Sequence, residues 1–179
     1  MIVDPALRTR TIALVGLPGV GKTSIGKRLA LALDMPFRDA DAEIERAAGR
    51  SISEIFAEHG EAHFRDGERR VIARLLDEPA HVLATGGGAF MNPETRRLLA
   101  ERAIPIWLRA DLDVLARRVA RKNNRPLLHG VDARERLAAL AREREPHYAE
   151  AAIVVDSAES PHSATVNAIL KALEARSSS

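Results

Sequence analysis

The chain has 179 residues, 27 Lys and Arg against 25 Asp and Glu, and a net charge of +2. That length suits one domain with a real core, and the near balance of charge says little about nucleic acid. There is no basic tract interleaved with aromatics to bind one. The absence of cysteine excludes disulfides and thiolate chemistry, and with aromatics at 3% the core must be mainly Leu, Ile, Val and Ala. The segment Met1 to Arg10 carries Asp4, Arg8 and Arg10 and no long apolar stretch, so it is not expected to be a signal peptide. No apolar run approaches membrane-spanning length. A soluble cytoplasmic protein without a membrane partner is the expectation.

Thr11-Ile12-Ala13-Leu14-Val15 is apolar and β-branched enough for a buried strand. The next eight residues, Gly16-Leu17-Pro18-Gly19-Val20-Gly21-Lys22-Thr23, fit G-x-x-x-x-G-K-[ST], the phosphate-binding loop. Ile25, Leu29 and Leu33 then recur at helical spacing, so residues 11–34 give the strand, loop and helix that the motif requires. The loop amides and helix N-terminus direct positive charge at an anion. Lys22 reaches the β- and γ-phosphates of a nucleotide in this reading, and the Thr23 hydroxyl ligates magnesium.

Pro36-Phe37-Arg38 is a second, short strand ending at Asp39-Ala40-Asp41, and a helix over Asp41 to Ala48 stops at Gly49. If that stretch is extended, Asp39 and Asp41 point the same way, into a cleft. Asp39 can hold magnesium there, and Asp41 can accept a proton from a substrate hydroxyl. The structural alternative makes Asp41 the N-cap of its helix. Ser51-x-x-Glu54 reads as a capping box, Gly60 interrupts, and a longer helix runs from Glu61 to Leu76. In that helix Arg65 and Glu68 stand three apart and can pair, which would fix the guanidinium for a carboxylate. His59 and His63 have metal-pair spacing, but the acid is misplaced for H-E-x-x-H and Gly60 breaks the helix, so no metal site is expected. The other histidines read most simply as surface residues.

His81 to Thr85 is a buried strand ending in Gly86-Gly87-Gly88, a run that suggests close approach to the backbone. Pro93 opens a helix to Glu101, and Ala103 to Leu108 is a strand that puts Trp107 in the core or at a strand edge. Asp111 caps a helix holding Leu112, Leu115 and Val119. The polar segment 122–130 includes Arg125-Pro126-Leu127-Leu128 and could close over bound nucleotide, with Arg125 meeting the transferring phosphoryl group. A helix over Asp132 to Glu145, a strand over Ala152 to Asp156 and a helix over Pro161 to Ala175 complete the chain, with residues 176–179 expected to be a disordered tail. Alternation of this kind predicts a single α/β domain over 1–179, its parallel sheet covered on both faces and its ligands at the strands' carboxyl ends.

Taken together, Gly16–Thr23, Asp39-Ala40-Asp41, Phe64-Arg65-x-x-Glu68, Gly86-Gly87-Gly88, Arg125-Pro126-Leu127-Leu128 and Arg144-x-Pro146-x-Tyr148, in that order, resemble the shikimate kinases. The resemblance runs from Thr11 to about Asp156. It implies a three-layer P-loop kinase fold with five parallel strands in the order 2-3-1-4-5, a substrate-binding helical region over about 39–66 and a mobile lid over about 120–132. It implies ATP phosphates on Gly19, Val20, Gly21, Lys22, Thr23 and Ser24, with Lys22 catalytic and Mg2+ on Thr23 and near Asp39. It implies shikimate on Asp41, Arg65, Arg144 and the Gly86, Gly87 and Gly88 triplet, the two arginines taking the carboxylate. Arg125 matches the lid arginine at the phosphates, and Arg118 matches the one stacked on adenine. A monomer is implied. Asn123-Asn124 depart from the family, where the lid is often basic. The activity implied is phosphorylation of the shikimate 3-hydroxyl by ATP. A kinase for gluconate or a nucleotide is the alternative, and the two arginines argue for a carboxylate-bearing acceptor. A guanine-nucleotide switch would need an N-K-x-D motif, which is absent.

Overall fold

The computed structural model describes residues 3–121, 132–157 and 161–179. Five strands form one sheet: β1 (Thr11–Val15), β2 (Phe37–Asp39), β3 (Val82–Ala84), β4 (Ala103–Arg109) and β5 (Ile153–Asp156). Their order is β2-β3-β1-β4-β5, as expected, and every pairing is parallel. The centre of the sheet is β1, with Ile12 opposite Val82 on one side and Ile104 on the other. All five of its residues are buried, which is why it reads as an unbroken apolar run with no alternation. Parallel pairing puts the carboxyl ends of all five strands on one edge of the sheet. The phosphate-loop sequence, Asp39, the glycine triplet and Asp156 therefore meet there, although they are far apart in the chain.

The flanking helices are α1 (Lys22–Leu33), α2 (Ala40–Ala48), α3 (Ile52–Leu75), α4 (Pro93–Arg102), α5 (Leu112–Ala120), α6 (Ala133–Tyr148) and α7 (His162–Ser177). Ile25, Leu29 and Leu33 of α1 are fully buried, as their spacing predicts. The core is aliphatic, with Trp107, Tyr148, Phe64 and Phe90 its large aromatic members. Ser51 accepts from the Glu54 amide at 3.1 Å to start α3. The helix then continues past Gly60, whose φ of 81° and ψ of 175° put a kink where the sequence predicts a break.

Several expectations are corrected. Helix α2 begins at Ala40, and Asp39, not Asp41, is its N-cap: its Oδ1 accepts from the amides of Asp41 at 3.0 Å and Ala42 at 3.3 Å. Asp111 stands at the N-cap position of α5 without a side-chain cap hydrogen bond. The acid of that turn which does bond is Asp113, taking Arg134 Nε at 2.6 Å and tying α5 to α6. Helix α6 carries through Pro146 to Tyr148. The terminal serines extend the last helix instead of fraying: α7 runs through Ser177, and the hydroxyls of Ser178 and Ser179 donate to the carbonyls of Glu174 and Ala175. His81 is core, not surface, at 1% exposure, with Nδ1 2.9 Å from the Pro79 carbonyl. The segment assigned to the lid, including Arg125, lies outside the described residues apart from its two ends.

Asn92 caps α4 by accepting from the amides of Glu94 at 2.9 Å and Thr95 at 3.2 Å, directly before Pro93. Asn92→Ala is expected to cost about 1 kcal/mol in urea unfolding, whereas Asn92→Asp keeps both bonds and favours the helix dipole, so its cost stays within about 0.5 kcal/mol.

Candidate active site

The loop after β1 leaves the sheet with Gly19 at φ +87° and Gly21 at φ +97°, left-handed conformations that turn it back to start α1. Lys22 Nζ donates to the carbonyls of Gly16 at 2.6 Å and Leu17 at 3.1 Å, which holds the ammonium over the loop. Arg118 reaches in from α5, with Nη1 donating to the carbonyls of Val20 at 3.2 Å and Gly19 at 3.4 Å. Thr23 Oγ1 donates to Asp39 Oδ2 at 2.9 Å. The two oxygens of Asp39 thus do different work: one anchors α2, the other meets the loop threonine.

These groups line a cavity of about 340 Å³ together with Ser24, Asp41, Thr85, Gly86 and Gly87. Arg121 and His162 also line it, and sequence reasoning assigned them nothing. Arg121 is the C-cap of α5, three residues after Arg118 and still in helical conformation, which is a usable signal. His162 arrives only because α7 starts beside the loop, where a Cβ on Gly21 would lie 3.4 Å from its ring.

A second cavity, of about 100 Å³, opens beyond the glycine triplet. Ile52, Phe56 and Phe64 give it an apolar wall; Arg65, Glu68 and Arg144 give it charge. Asp41, Gly86 and Gly87 line both cavities. Arg65 Nη1 donates to Glu68 Oε1 at 2.9 Å, the pairing expected from their spacing. Burial pushes the Glu68 carboxyl up from the ordinary glutamate range, while the Arg65 guanidinium beside it pulls it back. Two atoms of this cluster are buried with no hydrogen-bond partner among the described residues, Arg144 Nε and Glu68 Oε2. Buried polar atoms left in that condition are costly.

The glycine triplet is needed for close approach. A Cβ on Gly86 would lie 2.9 Å from both Asp41 Oδ1 and Glu68 Oε2, one on Gly87 would lie 2.9 Å from Arg144 Nη1, and one on Gly88 would enter the Arg65 guanidinium. Each glycine therefore admits a different polar side chain to the β3 edge. Asp41 reaches the cleft from the first turn of α2, not from an extended segment as its spacing from Asp39 suggested. Arg125 lies outside the described residues. The paired rings of His59 and His63 stand 4.5 Å apart on α3, and no group of three or more potential metal-ligating side chains occurs among the described residues.

The shikimate kinase family model matches residues 18–174. The chain belongs to the shikimate kinase family. Its relatives include the shikimate kinase of Caulobacter vibrioides, 65% identical over 93% of this chain and 84% of the relative. That of Zymomonas mobilis is 55% identical over 92% of this chain and 93% of the relative. Among solved structures, a shikimate kinase from Acinetobacter baumannii, in complex with shikimate, superposes with a TM-score of 0.90 at 34% identity, covering 96% of this chain and 97% of that one. The activity is accordingly the family's, phosphorylation of shikimate with ATP.

Tyr148, fully buried beside Arg144, has its phenol pushed up from 10.0 to about 12, chiefly by burial, with the Arg144 charge opposing. A folded-state pKa above the unfolded one means that the folded chain holds the proton longer. The stability this contributes is full below pH 10 and is lost as pH rises through about 12, a change of roughly 3 kcal/mol. Urea unfolding of the parent chain between those limits should show this decline, and Tyr148→Phe should lack that component of it.

Proposed function

We propose that this chain transfers the γ-phosphoryl group of ATP to the 3-hydroxyl of shikimate, with Asp41 at the junction of donor and acceptor. The observation that carries the reading is that Asp41 lines both cavities. Phosphates of ATP lie on the loop of Gly19, Val20, Gly21, Lys22, Thr23 and Ser24, which together with the N-terminus of α1 supplies amide dipoles. Lys22 adds a full charge at the β- and γ-phosphates. Arg118, already at the loop, lies against the adenine side, and Arg125 supports the transferring group in line with the family motif that contains it.

The acceptor's carboxylate pairs with Arg65 and Arg144, its ring rests on Ile52, Phe56 and Phe64, and its hydroxyls meet Asp41 and the Gly86–Gly88 backbone. So held, one hydroxyl faces the loop. An O–P bond to the γ-phosphorus forms as the bond to the β,γ-bridging oxygen breaks, and the hydroxyl proton passes to the Asp41 carboxylate. In a loose transition state the nucleophile needs little activation, so most of the effect comes from positioning and charge.

Thr23 Oγ1 and Asp39 Oδ2, 2.9 Å apart, are hard oxygen donors suited to Mg2+, whose remaining positions water and phosphate would fill. When bound, Mg2+ would neutralise phosphate charge. Both cavities are built from one chain, which supports action as a monomer. Dependence on ATP supports the cytoplasm as its place of work. No helix among the described residues is long and apolar enough to cross a membrane.

The test is ADP release with shikimate, compared with quinate and gluconate. Turnover should be largest with shikimate, and equal or greater turnover with gluconate would reject the acceptor assignment. Lys22→Met keeps bulk but loses charge, and should abolish turnover while leaving the far-ultraviolet circular dichroism intact. Arg65→Ala should lower kcat/KM for shikimate by at least about tenfold, roughly 1.4 kcal/mol, and a smaller loss would remove Arg65 from the carboxylate clamp.

A further inference from the structure

We propose that Tyr148 is a positioning residue for the acceptor, acting through the Gly87–Gly88 peptide and Arg144; this rests on the acceptor assignment above. The carbonyls of the triplet are all occupied. Gly86 O accepts from the Ala89 amide at 3.2 Å and Gly88 O from the Met91 amide at 3.1 Å. Neither bond reaches the middle carbonyl. That one, Gly87 O, takes the Tyr148 hydroxyl as its donor. The amides of Gly86, Gly87 and Gly88 donate to nothing among the described residues, while Gly86 and Gly87 face both cavities. A peptide is planar, so pinning Gly87 O also sets the direction of the Gly88 amide. Glycines have the widest backbone freedom, and a run of three would otherwise sample many orientations of these donors. The Tyr148 bond removes that freedom from the middle of the run.

The same side chain reaches Arg144. Tyr148 follows it by four residues on α6, one turn along the same face. The Arg144 charge acts on the phenol, and Arg144 Nη1 stands where a Gly87 Cβ would touch it. Arg144, Gly87 and the Tyr148 hydroxyl therefore form one cluster at the floor of the acceptor cavity. The tyrosine is itself immobilised: it is fully buried, with Phe90 at 6.4 Å and Trp107 at 5.8 Å between ring centroids. The phenol stays protonated throughout the neutral range, so its hydroxyl remains a donor. Burial of a tyrosine needs only a partner for its hydroxyl. The partner here is the one carbonyl of the triplet that local turns leave open.

The variant is Tyr148→Phe, which keeps the rings packed on Phe90 and Trp107 and removes only the hydroxyl. KM for shikimate should rise by about tenfold with kcat changed less than about threefold, and KM for ATP should stay within about twofold. A role in folding alone would leave the shikimate KM unmoved in the folded fraction, or would shift both substrates together; either result overturns the proposal. Assays at 10 °C, with circular dichroism to confirm the fold, keep the comparison valid if the variant is less stable. Shikimate turnover by the parent chain is measured first. Its absence would reject the acceptor assignment, whereas a working parent with an indistinguishable variant rejects the role of Tyr148.

Discussion

Four polar side chains press against a backbone with no side chains of its own. Asp41 comes from α2, Arg65 and Glu68 from α3, and Arg144 from α6, and all four converge on Gly86–Gly88 at the end of β3. Glu68 and Arg144 are buried, which is costly in isolation because each charge leaves water. Glu68 is compensated by its pairing with Arg65, and Asp41 and Arg65 stay only half-buried at the cavities they line. The arginine-lined cavity is thus built around a shortage of side-chain volume at one strand end.

The phosphate-loop cavity depends on a different economy of groups. Asp39 ends β2, caps α2 with one oxygen and holds Thr23 of the phosphate loop with the other. That arrangement fixes the distance between the loop and the helix that presents Asp41. Movement of α2 would displace Asp39 and Asp41 together, so the loop contact and the carboxylate shared by the two cavities stay in register. Transfer in which positioning supplies most of the rate has reason to use such a rigid link.

Much of this was legible in the chain. The phosphate loop, its flanking strand and helix, the Arg65–Glu68 pair and the location of every strand follow from local spacing, because short-range periodicity and turn chemistry are what a sequence writes most directly. The cap of α2 was misread because Asp39 and Asp41 are both good caps, and only the strand-to-helix turn decides between them. His81 and His162 read as surface residues because each owes its surroundings to residues distant in the chain. Asp111 met the local rule for a cap, yet its side chain makes no such bond.

Sequence alone determined the chemistry on offer: an anion-binding loop, a lysine, an acid two residues past another, an arginine three residues before a glutamate and three consecutive glycines. Those are properties of residue types at short spacing, and they hold whatever the rest of the chain does. Tertiary structure decided which of them share a cavity. Parallel pairing in the order β2-β3-β1-β4-β5 brought the strand ends to one edge, set Asp41 between two cavities and put the Tyr148 hydroxyl under Gly87. The physical reason is that a contact across 61 residues is written in no local pattern; it exists only once the sheet has closed over its core.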